Sequence, residues 1–184
     1  MSQAFAASSI YTEDDYYNLP ESARAELIDG QFYAMAAPSR IHQAISGELF
    51  LVIGNYLKQK GGLCRVFSAP FAVKLFDSRK TIVEPDISII CDPAKLTDKG
   101  CSGAPDWIIE ISSPGNPGHD YVRKLNLYMD AGVREYWIVN PEKQTVLVYY
   151  FEQTAFDVRQ YTFQDKPAVN IYDDFQIDFA RLDI

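Results

Sequence analysis

The chain has 184 residues, of which 47% are hydrophobic and 23% are charged, which is the composition of an ordinary globular protein. It carries 17 basic and 25 acidic residues, and the resulting net charge of −8 at first argues against a nucleic-acid partner. Disordered, collagen-like and disulfide-scaffold proteins are excluded at this level. We expect a single domain over residues 1–184, with residues 1–10 as a flexible N-terminal segment.

Cysteine and histidine usage bears on compartment and on metal chemistry. Cys64, Cys91 and Cys101 make no close pair in the sequence, and two histidines are too few to build a zinc cluster easily. This pattern predicts a reducing compartment. The chain shows no signal peptide and no run of ~18 apolar residues, so we expect a cytoplasmic protein without a membrane span.

The charge is unevenly distributed along the chain. Residues 40–124 carry eleven bases and nine acids, whereas residues 1–39 and 125–184 are both acidic. A solvated acidic surface is one interpretation, and a local basic cleft within residues 40–124 is the other.

Hydrophobic periodicity and turn residues predict the elements in chain order. A short helix opens at Thr12, and Asp29-Gly30 marks a hairpin between two apolar runs. Apolar residues at helical spacing over residues 39–60 predict a long helix, which a glycine pair ends. Further strands are predicted at residues 71–76, 81–90, 105–111, 133–140 and 146–151, with a helix at about residues 119–131. The order predicts an α/β or α+β fold in which helices flank a central mixed sheet.

Two carboxylates occupy apolar strands, where a charge is costly unless it is paired or bound to a metal. Glu110 interrupts residues 107–111, and Asp86 precedes the apolar residues 87–90. If these strands are neighbours, the two carboxylates converge, and oxygen ligands of this kind suit Mg²⁺. Two structural alternatives stay open: a strand-initial carboxylate for Asp86, and for Glu110 a buried salt bridge to Arg134 or Lys124.

Lys124 is the third candidate, on the predicted helix that follows the strand of Glu110. It can face back toward the end of that strand, or it can pair with Asp120 on a solvated helix face. Asp106 is a poor candidate, because it lies four residues before Glu110, ~13 Å away along one strand face. The Tyr136-Trp137 pair is interpreted as core rather than as a base-stacking platform.

The ordered motifs resemble the PD-(D/E)XK nuclease superfamily and, more narrowly, the Uma family of restriction endonucleases, over roughly residues 11–180. The residues that carry the resemblance are 26–30, His42, 83–86, 104–114 and 124–139. The general superfamily pattern has lysine two residues after the glutamate, where this chain has Ser112. Members of the family look as though the lysine has moved to the following helix, which Lys124 matches. The resemblance therefore implies a restriction-endonuclease-like core.

The resemblance also implies roles for individual residues. Asp86, Glu110 and the backbone carbonyl of Ile111 would hold a metal ion, and Lys124 would act on the attacking water and the scissile phosphate. Glu26 would help to hold the metal or the lysine; its structural alternative is a cross-strand ion pair with a base such as Arg24 or Arg65. His42 would contact a phosphate, or would simply be a satisfied histidine at the edge of the core.

The expected function is therefore a Mg²⁺-dependent endonuclease that hydrolyses phosphodiester bonds in DNA, with Mn²⁺ as a substitute. A catalytically silent nuclease-fold domain that binds a protein partner is the alternative that the acidic charge favours. A purely structural salt-bridge cluster is a third interpretation. Because no separate recognition domain is predicted, strong sequence specificity would require a homodimer to double the DNA contacts.

Overall fold

The computed structural model describes residues 10–20, 22–113, 118–152 and 157–184, without the side chains of residues 118–121. The expected flexible segment at residues 1–10 lies outside this description except for Ile10. The helices are α1 (Glu13–Tyr17), α2 (Arg40–Lys60) and α3 (Gly118–Ala131). The strands are β1 (Ala25–Ile28), β2 (Gln31–Ala34), β3 (Arg65–Ser68), β4 (Val73–Lys74), β5 (Ile82–Val83), β6 (Ile87–Ile90), β7 (Leu96–Thr97), β8 (Gly100–Ser102), β9 (Trp107–Ile111), β10 (Glu135–Asn140), β11 (Thr145–Tyr150) and β12 (Asp157–Thr162).

The local signals for helix ends and for the first hairpin are confirmed. Thr12 caps α1 and forms a capping box with Asp15. Ser39 caps α2 by accepting from the backbone N–H of His42, and the helix ends at Gly61. Gly30 has a φ of 78°, which is the left-handed conformation that the turn between β1 and β2 requires. No helix in the described ranges is long and apolar enough to span a membrane.

The predicted α+β class with mixed sheets is confirmed, but the described strands form two six-stranded sheets instead of one central sheet. Sheet 1 has the order β2-β1-β5-β4-β8-β7, and sheet 2 has the order β12-β11-β10-β9-β6-β3. Each sheet is mixed, because β4 runs parallel to β8 and β9 runs parallel to β10. Sheet 2 carries Glu110 and is the sheet that positions the candidate site.

The segment predicted as one strand over residues 81–90 divides between the two sheets. β5 pairs in sheet 1, whereas β6 pairs with β3 and β9 in sheet 2. The break falls at Pro85, which has no N–H to donate to a strand ladder. Asp86 therefore lies at the point where the chain crosses from one sheet to the other. The strand predicted at residues 71–76 shortens to β4, and β3, β7, β8 and β12 were not predicted.

Sheet 2 is covered on both faces. The buried side chains of α2, such as Ile45 and Leu49, pack with Trp107 and Trp137 on one face. On the other face, Tyr128 of α3 packs in a second cluster with residues of β9, β10 and sheet 1. Both Tyr136 and Trp137 are fully buried, as predicted for core residues. Because sheet 2 is enclosed in this way, a carboxylate within its central strands is shielded from water.

Two of the three cysteines form a disulfide, which the prediction of a reducing compartment did not anticipate. Arg65 of β3 pairs with Ile90 of β6, so the antiparallel register places Cys64 beside Cys91. The two residues are bonded although they lie 27 residues apart in the sequence. Cys101 is a buried free thiol, and burial raises its pKa to about 11.

Candidate active site

Asp86 and Glu110 meet across two antiparallel strands. Ile87 of β6 lies opposite Ile109 of β9, so Asp86, the residue just before β6, comes to the end of β9 that carries Glu110. Oδ2 of Asp86 also accepts from the backbone N–H of Ile111 at 2.7 Å. The sheet itself therefore brings the two carboxylates to the same end of β9.

The backbone of Ile111 faces the same side as Asp86. The N–H of Ser112 donates to the carbonyl of Val139 in β10 at 2.8 Å. Backbone groups of successive strand residues point in opposite directions, so the N–H and C=O of Ile111 point away from β10, toward β6. The carbonyl of Ile111 is therefore available to the same site as the carboxylate of Asp86.

Glu110 is a buried carboxylate with two donors on one oxygen. Its Oε1 accepts from Nζ of Lys124 at 2.9 Å and from the hydroxyl of Tyr128 at 2.6 Å. Burial raises the pKa of Glu110 to about 7, although the Lys124 charge acts to lower it, and the Asp86 charge raises it further. The ionised form of Glu110 is therefore costly, and a second positive charge would stabilise it.

Lys124 is buried between two carboxylates. Its side chain is 7% exposed, and Nζ lies 2.9 Å from Oε1 of both Glu26 and Glu110. Burial acts to lower the pKa of Lys124, but the two carboxylates outweigh it and raise that pKa well above its ordinary value. The interpretation of Lys124 as a solvated surface residue is wrong, because α3 turns this side chain toward the sheet; the side chain of Asp120 lies outside the described residues.

Glu26 connects sheet 1 to this cluster. Besides Lys124, its Oε1 accepts from the backbone N–H of Glu84 at 3.1 Å. Neither Arg24 nor Arg65 is its partner: Arg24 pairs with the Glu84 carboxylate at 2.8 Å, and Arg65 donates to backbone carbonyls beside its own strand. Glu26 thus contacts Lys124, one of the two groups (metal or lysine) that the resemblance implies it would hold.

His42 lies at the N-terminal end of α2, against Asp86. Its Nε2 is 3.1 Å from Oδ2 of Asp86, and its side chain is largely buried. Burial acts to lower the pKa of His42, but the hydrogen bond and the charge of Asp86 raise it overall. Nδ1 is buried without a hydrogen-bond partner in the described part of the chain. The residue expected at a phosphate is therefore in direct contact with a candidate metal ligand.

Two residues considered from the sequence belong to a different cluster. Arg134, the alternative partner of Glu110, instead pairs with Asp106 and with Glu152. Asp106 also accepts from the backbone N–H of Cys91 at 2.7 Å. These contacts tie β10 to the neighbouring strands and give Asp106 a structural role.

Tyr128 is the site residue that the sequence analysis missed. It was assigned no role there. It lies four residues after Lys124, so both side chains project from the same face of α3. This spacing was the signal that could have placed the hydroxyl of Tyr128 beside the partner of Lys124.

The oxygen atoms at the end of β9 fit a hard divalent cation. Within the described ranges, no group of three or more His, Cys, Asp or Glu side chains is placed to hold a metal ion. Asp86 and Glu110 do, however, each direct one oxygen to protein donors, and no hydrogen bond from the described residues reaches Oδ1 of Asp86 or Oε2 of Glu110. With the carbonyl of Ile111 they form an oxygen-only donor set, which is typical of Mg²⁺, an ion that keeps several waters.

Comparison with known proteins identifies related sequences and a related fold. A model of the Uma2 family, described as "Putative restriction endonuclease", matches residues 13–183. An uncharacterized protein of Synechocystis sp. is 26% identical over 140 residues, which cover 74% of this chain and 72% of that protein. The crystal structure of a "putative nuclease belonging to DUF820" from Anabaena variabilis has a TM-score of 0.75 at 24% identity, covering 93% of this chain and 96% of that one. The two structures share one fold.

Proposed function

Since the chain belongs to the Uma2 family, we propose that it is a Mg²⁺-dependent endonuclease that hydrolyses phosphodiester bonds in DNA, with Mn²⁺ as a substitute. The observation that carries the proposal is that Asp86 and Glu110 come to the same end of β9, where the N–H of Ile111 donates to Asp86 and the charge of Asp86 acts on Glu110. Each carboxylate keeps one oxygen that no hydrogen bond from the described residues reaches. The charge of Asp86 disfavours the ionised form of Glu110, and two neighbouring carboxylates of this kind are stabilised by a cation between them, so a cation explains the pair better than a salt-bridge cluster alone.

Asp86, Glu110 and the carbonyl of Ile111 would hold the cation. A bound Mg²⁺ lowers the pKa of a coordinated water and stabilises negative charge on a phosphate. The protein contributes by fixing the ligands: the N–H of Ile111 and the His42 ring hold one oxygen of Asp86, and Tyr128 holds one oxygen of Glu110. Such contacts orient each carboxylate before a metal arrives.

Lys124 supplies a fixed positive charge beside the site. An ammonium group has three donors, and Glu26 and Glu110 take two of them. We assign the third donor to the attacking water or to the scissile phosphate. Because Glu26 holds Lys124 from the side of sheet 1, the charge stays in place without rearrangement during the reaction.

His42 has two parts in the proposal. It would position Asp86, which its ring contacts, and it would contact a bound phosphate, the role that the resemblance implies. The proposal also includes one nuclease-like domain over residues 1–184, a homodimer in solution and a cytoplasmic location.

The test is cleavage of supercoiled plasmid DNA by the purified protein with Mg²⁺ or Mn²⁺. Asp86→Asn and Glu110→Gln should each lower the nicking rate at least ~100-fold, the cost of one lost electrostatic stabiliser. Asp98→Asn and Glu142→Gln are matched controls, because both carboxylates are exposed and lie outside the site. Both controls should nick at the wild-type rate.

Absence of nicking by the wild type, across metals and substrates, would contradict the proposal. That outcome would favour a catalytically silent nuclease fold that binds a protein partner through its acidic surface. Equal nicking by the wild type and by both site variants would place the activity elsewhere.

A further inference from the structure

A row of side chains runs across sheet 2, away from the candidate site. The register pairs Glu110 with Ile138, Ile138 with Leu147, and Leu147 with Gln160. Paired residues share one face of a sheet, so the row lies on the face that α3 covers. Adjacent strands are about 4.8 Å apart, which places Leu147 about 10 Å from Glu110.

The row leads into a cavity of about 400 Å³. Ser112, the residue after the candidate metal ligand Ile111, lies at one end of its lining, and Gln160 of β12 lines it too. Val122 and Leu125 of α3 form the wall opposite the sheet. The cavity therefore lies next to the end of β9 that carries the candidate site, and its volume is in the range of small-molecule sites.

The lining combines apolar surfaces with amide groups. Leu125, Leu147 and Tyr149 offer apolar contact, whereas Asn140 and Gln160 carry both hydrogen-bond donors and acceptors. A nucleobase has the complementary chemistry, since its faces are apolar and its edges carry donors and acceptors. The lining thus fits one base, and an amide side chain is the group that reads a base edge.

Charge and volume distinguish one nucleotide from a stretch of duplex. Lys143 is the one cationic residue among the lining residues in the described part of the chain, and it suits a single phosphate. Duplex binding draws mainly on many phosphate contacts, which a protein with a net charge of −8 is poorly equipped to make. A cavity of this volume has no room for a base pair with both backbones.

We propose that this cavity binds one unpaired nucleotide of the DNA substrate, next to the phosphodiester bond presented to Asp86 and Glu110. This inference rests on the proposed nuclease function and specifies its substrate: DNA with a nucleotide that is single-stranded or extruded from the helix beside the cut. The base packs between α3 and Leu147, Gln160 hydrogen-bonds its edge, and Lys143 contacts the phosphate.

Fluorescence anisotropy tests the inference without cleavage when Ca²⁺ replaces Mg²⁺. The probes are two labelled duplexes of equal length, one fully paired and one with a single extrahelical nucleotide. The wild type should bind the second about tenfold more tightly, the effect of one stacked base. Gln160→Ala and Lys143→Ala should weaken this preference, whereas the matched controls Gln164→Ala and Lys58→Ala, which change exposed residues outside the cavity, should retain it.

Leu147→Trp fills the cavity and should abolish the preference for the extrahelical nucleotide. Circular dichroism shows whether this variant folds. If it does not fold, the variants at the exposed residues Gln160 and Lys143 decide whether the cavity binds a nucleotide. Equal affinity of the wild type for the two duplexes would overturn the inference, as would an unchanged preference in Gln160→Ala and Lys143→Ala. If the wild type prefers the extrahelical nucleotide but does not nick DNA, nucleotide binding in the cavity is supported and the nuclease function is contradicted. If it nicks DNA without this preference, the nuclease function is supported and nucleotide binding in the cavity is contradicted.

Discussion

The hydroxyl of Tyr128 donates to Oε1 of Glu110 at 2.6 Å, the same oxygen that accepts from Lys124. Both donors lie on α3 and approach the carboxylate from one side. The carboxylate is thereby fixed in an orientation that leaves Oε2 for another partner. Tyr128 is thus a positioning residue for a candidate metal ligand, and its hydroxyl can be removed without changing the shape of the core.

Tyr128→Phe should lower the affinity for Mn²⁺ or Mg²⁺ about tenfold, because partners of metal ligands have effects of this size. The free energy of unfolding without metal should fall by only about 1 kcal/mol, the worth of one hydrogen bond. The measurement is the melting temperature as a function of metal concentration. Tyr16→Phe is the matched control: its hydroxyl donates to Glu84, which is not a candidate ligand. Equal metal affinity in both variants would contradict the role of Tyr128 in positioning Glu110.

His42→Ala separates the two roles of this histidine. If the ring positions Asp86, the variant should bind metal ~10-fold more weakly, because one oxygen of Asp86 loses a partner. If it only contacts phosphate, metal affinity should be unchanged and DNA affinity should fall. Metal titration of the melting temperature and DNA binding in Ca²⁺ provide the two measurements, and loss of DNA affinity alone would contradict the positioning role.

Local sequence signals predicted those parts of the fold that depend on neighbours along the chain. Neighbouring residues alone determine the cap at Thr12, the turn at Gly30 and the ends of α2. They accept hydrogen bonds from the backbone N–H groups that a helix end leaves unpaired, or they adopt the backbone conformation that a turn requires. Sheet membership was not predictable in this way. Two short apolar runs flank Pro85 within residues 81–90, and only tertiary pairing assigns the residues before Pro85 to sheet 1 and those after it to sheet 2.

The candidate site likewise contains one residue that its neighbours along the chain predict and partners that only the tertiary structure brings to it. The cost of a carboxylate in an apolar strand singled out Glu110 from its own neighbours. The partners of Glu110 come from distant positions, since Lys124 is 14 residues away and Glu26 reaches the same ammonium from sheet 1. The side on which Lys124 lies depends on how α3 packs, so helical spacing alone left open whether it faces the strand of Glu110 or solvent. Cys64 and Cys91 were missed for the same reason, because a strand register brings them together.

Thiol counting checks the arrangement of the cysteines. Denatured, unreduced protein should react with a thiol reagent at one cysteine per chain, and reduced protein at three. Native protein at pH 8 should react very slowly, because Cys101 is buried and its pKa is raised to about 11, so little thiolate is present. Three reactive thiols before reduction would contradict the Cys64–Cys91 disulfide.

Glu110→Gln should remove the Mg²⁺ dependence of the melting temperature while leaving the metal-free protein equally or more stable. The amide keeps the shape and one oxygen acceptor, and it removes a carboxylate whose ionisation burial disfavours. Thermal unfolding with and without metal, with Glu142→Gln as the exposed control, measures both effects. A large loss of metal-free stability would favour the purely structural cluster.

Lys124 must be tested for stability and for catalysis separately, because it neutralises two buried carboxylates. Lys124→Met should cost about 3–5 kcal/mol in the free energy of unfolding, since Glu26 and Glu110 are left without their shared cation. Lys58→Met, on the exposed surface of α2, should change stability by less than ~0.5 kcal/mol. Chemical denaturation measures both variants.

The double variant Lys124→Met with Glu26→Gln distinguishes the two roles. Removing one carboxylate together with the cation restores the charge balance around Glu110, so we expect most of the lost stability to return. Nicking should nevertheless stay ~10²–10³-fold below the wild type, because no ammonium remains to serve the water or the phosphate. The single variant Lys124→Arg should keep the positive charge but should not nick DNA at the wild-type rate, since a planar guanidinium does not occupy the place of a compact ammonium between two carboxylates. Wild-type nicking by the refolded double variant would show that Lys124 only holds the two carboxylates together.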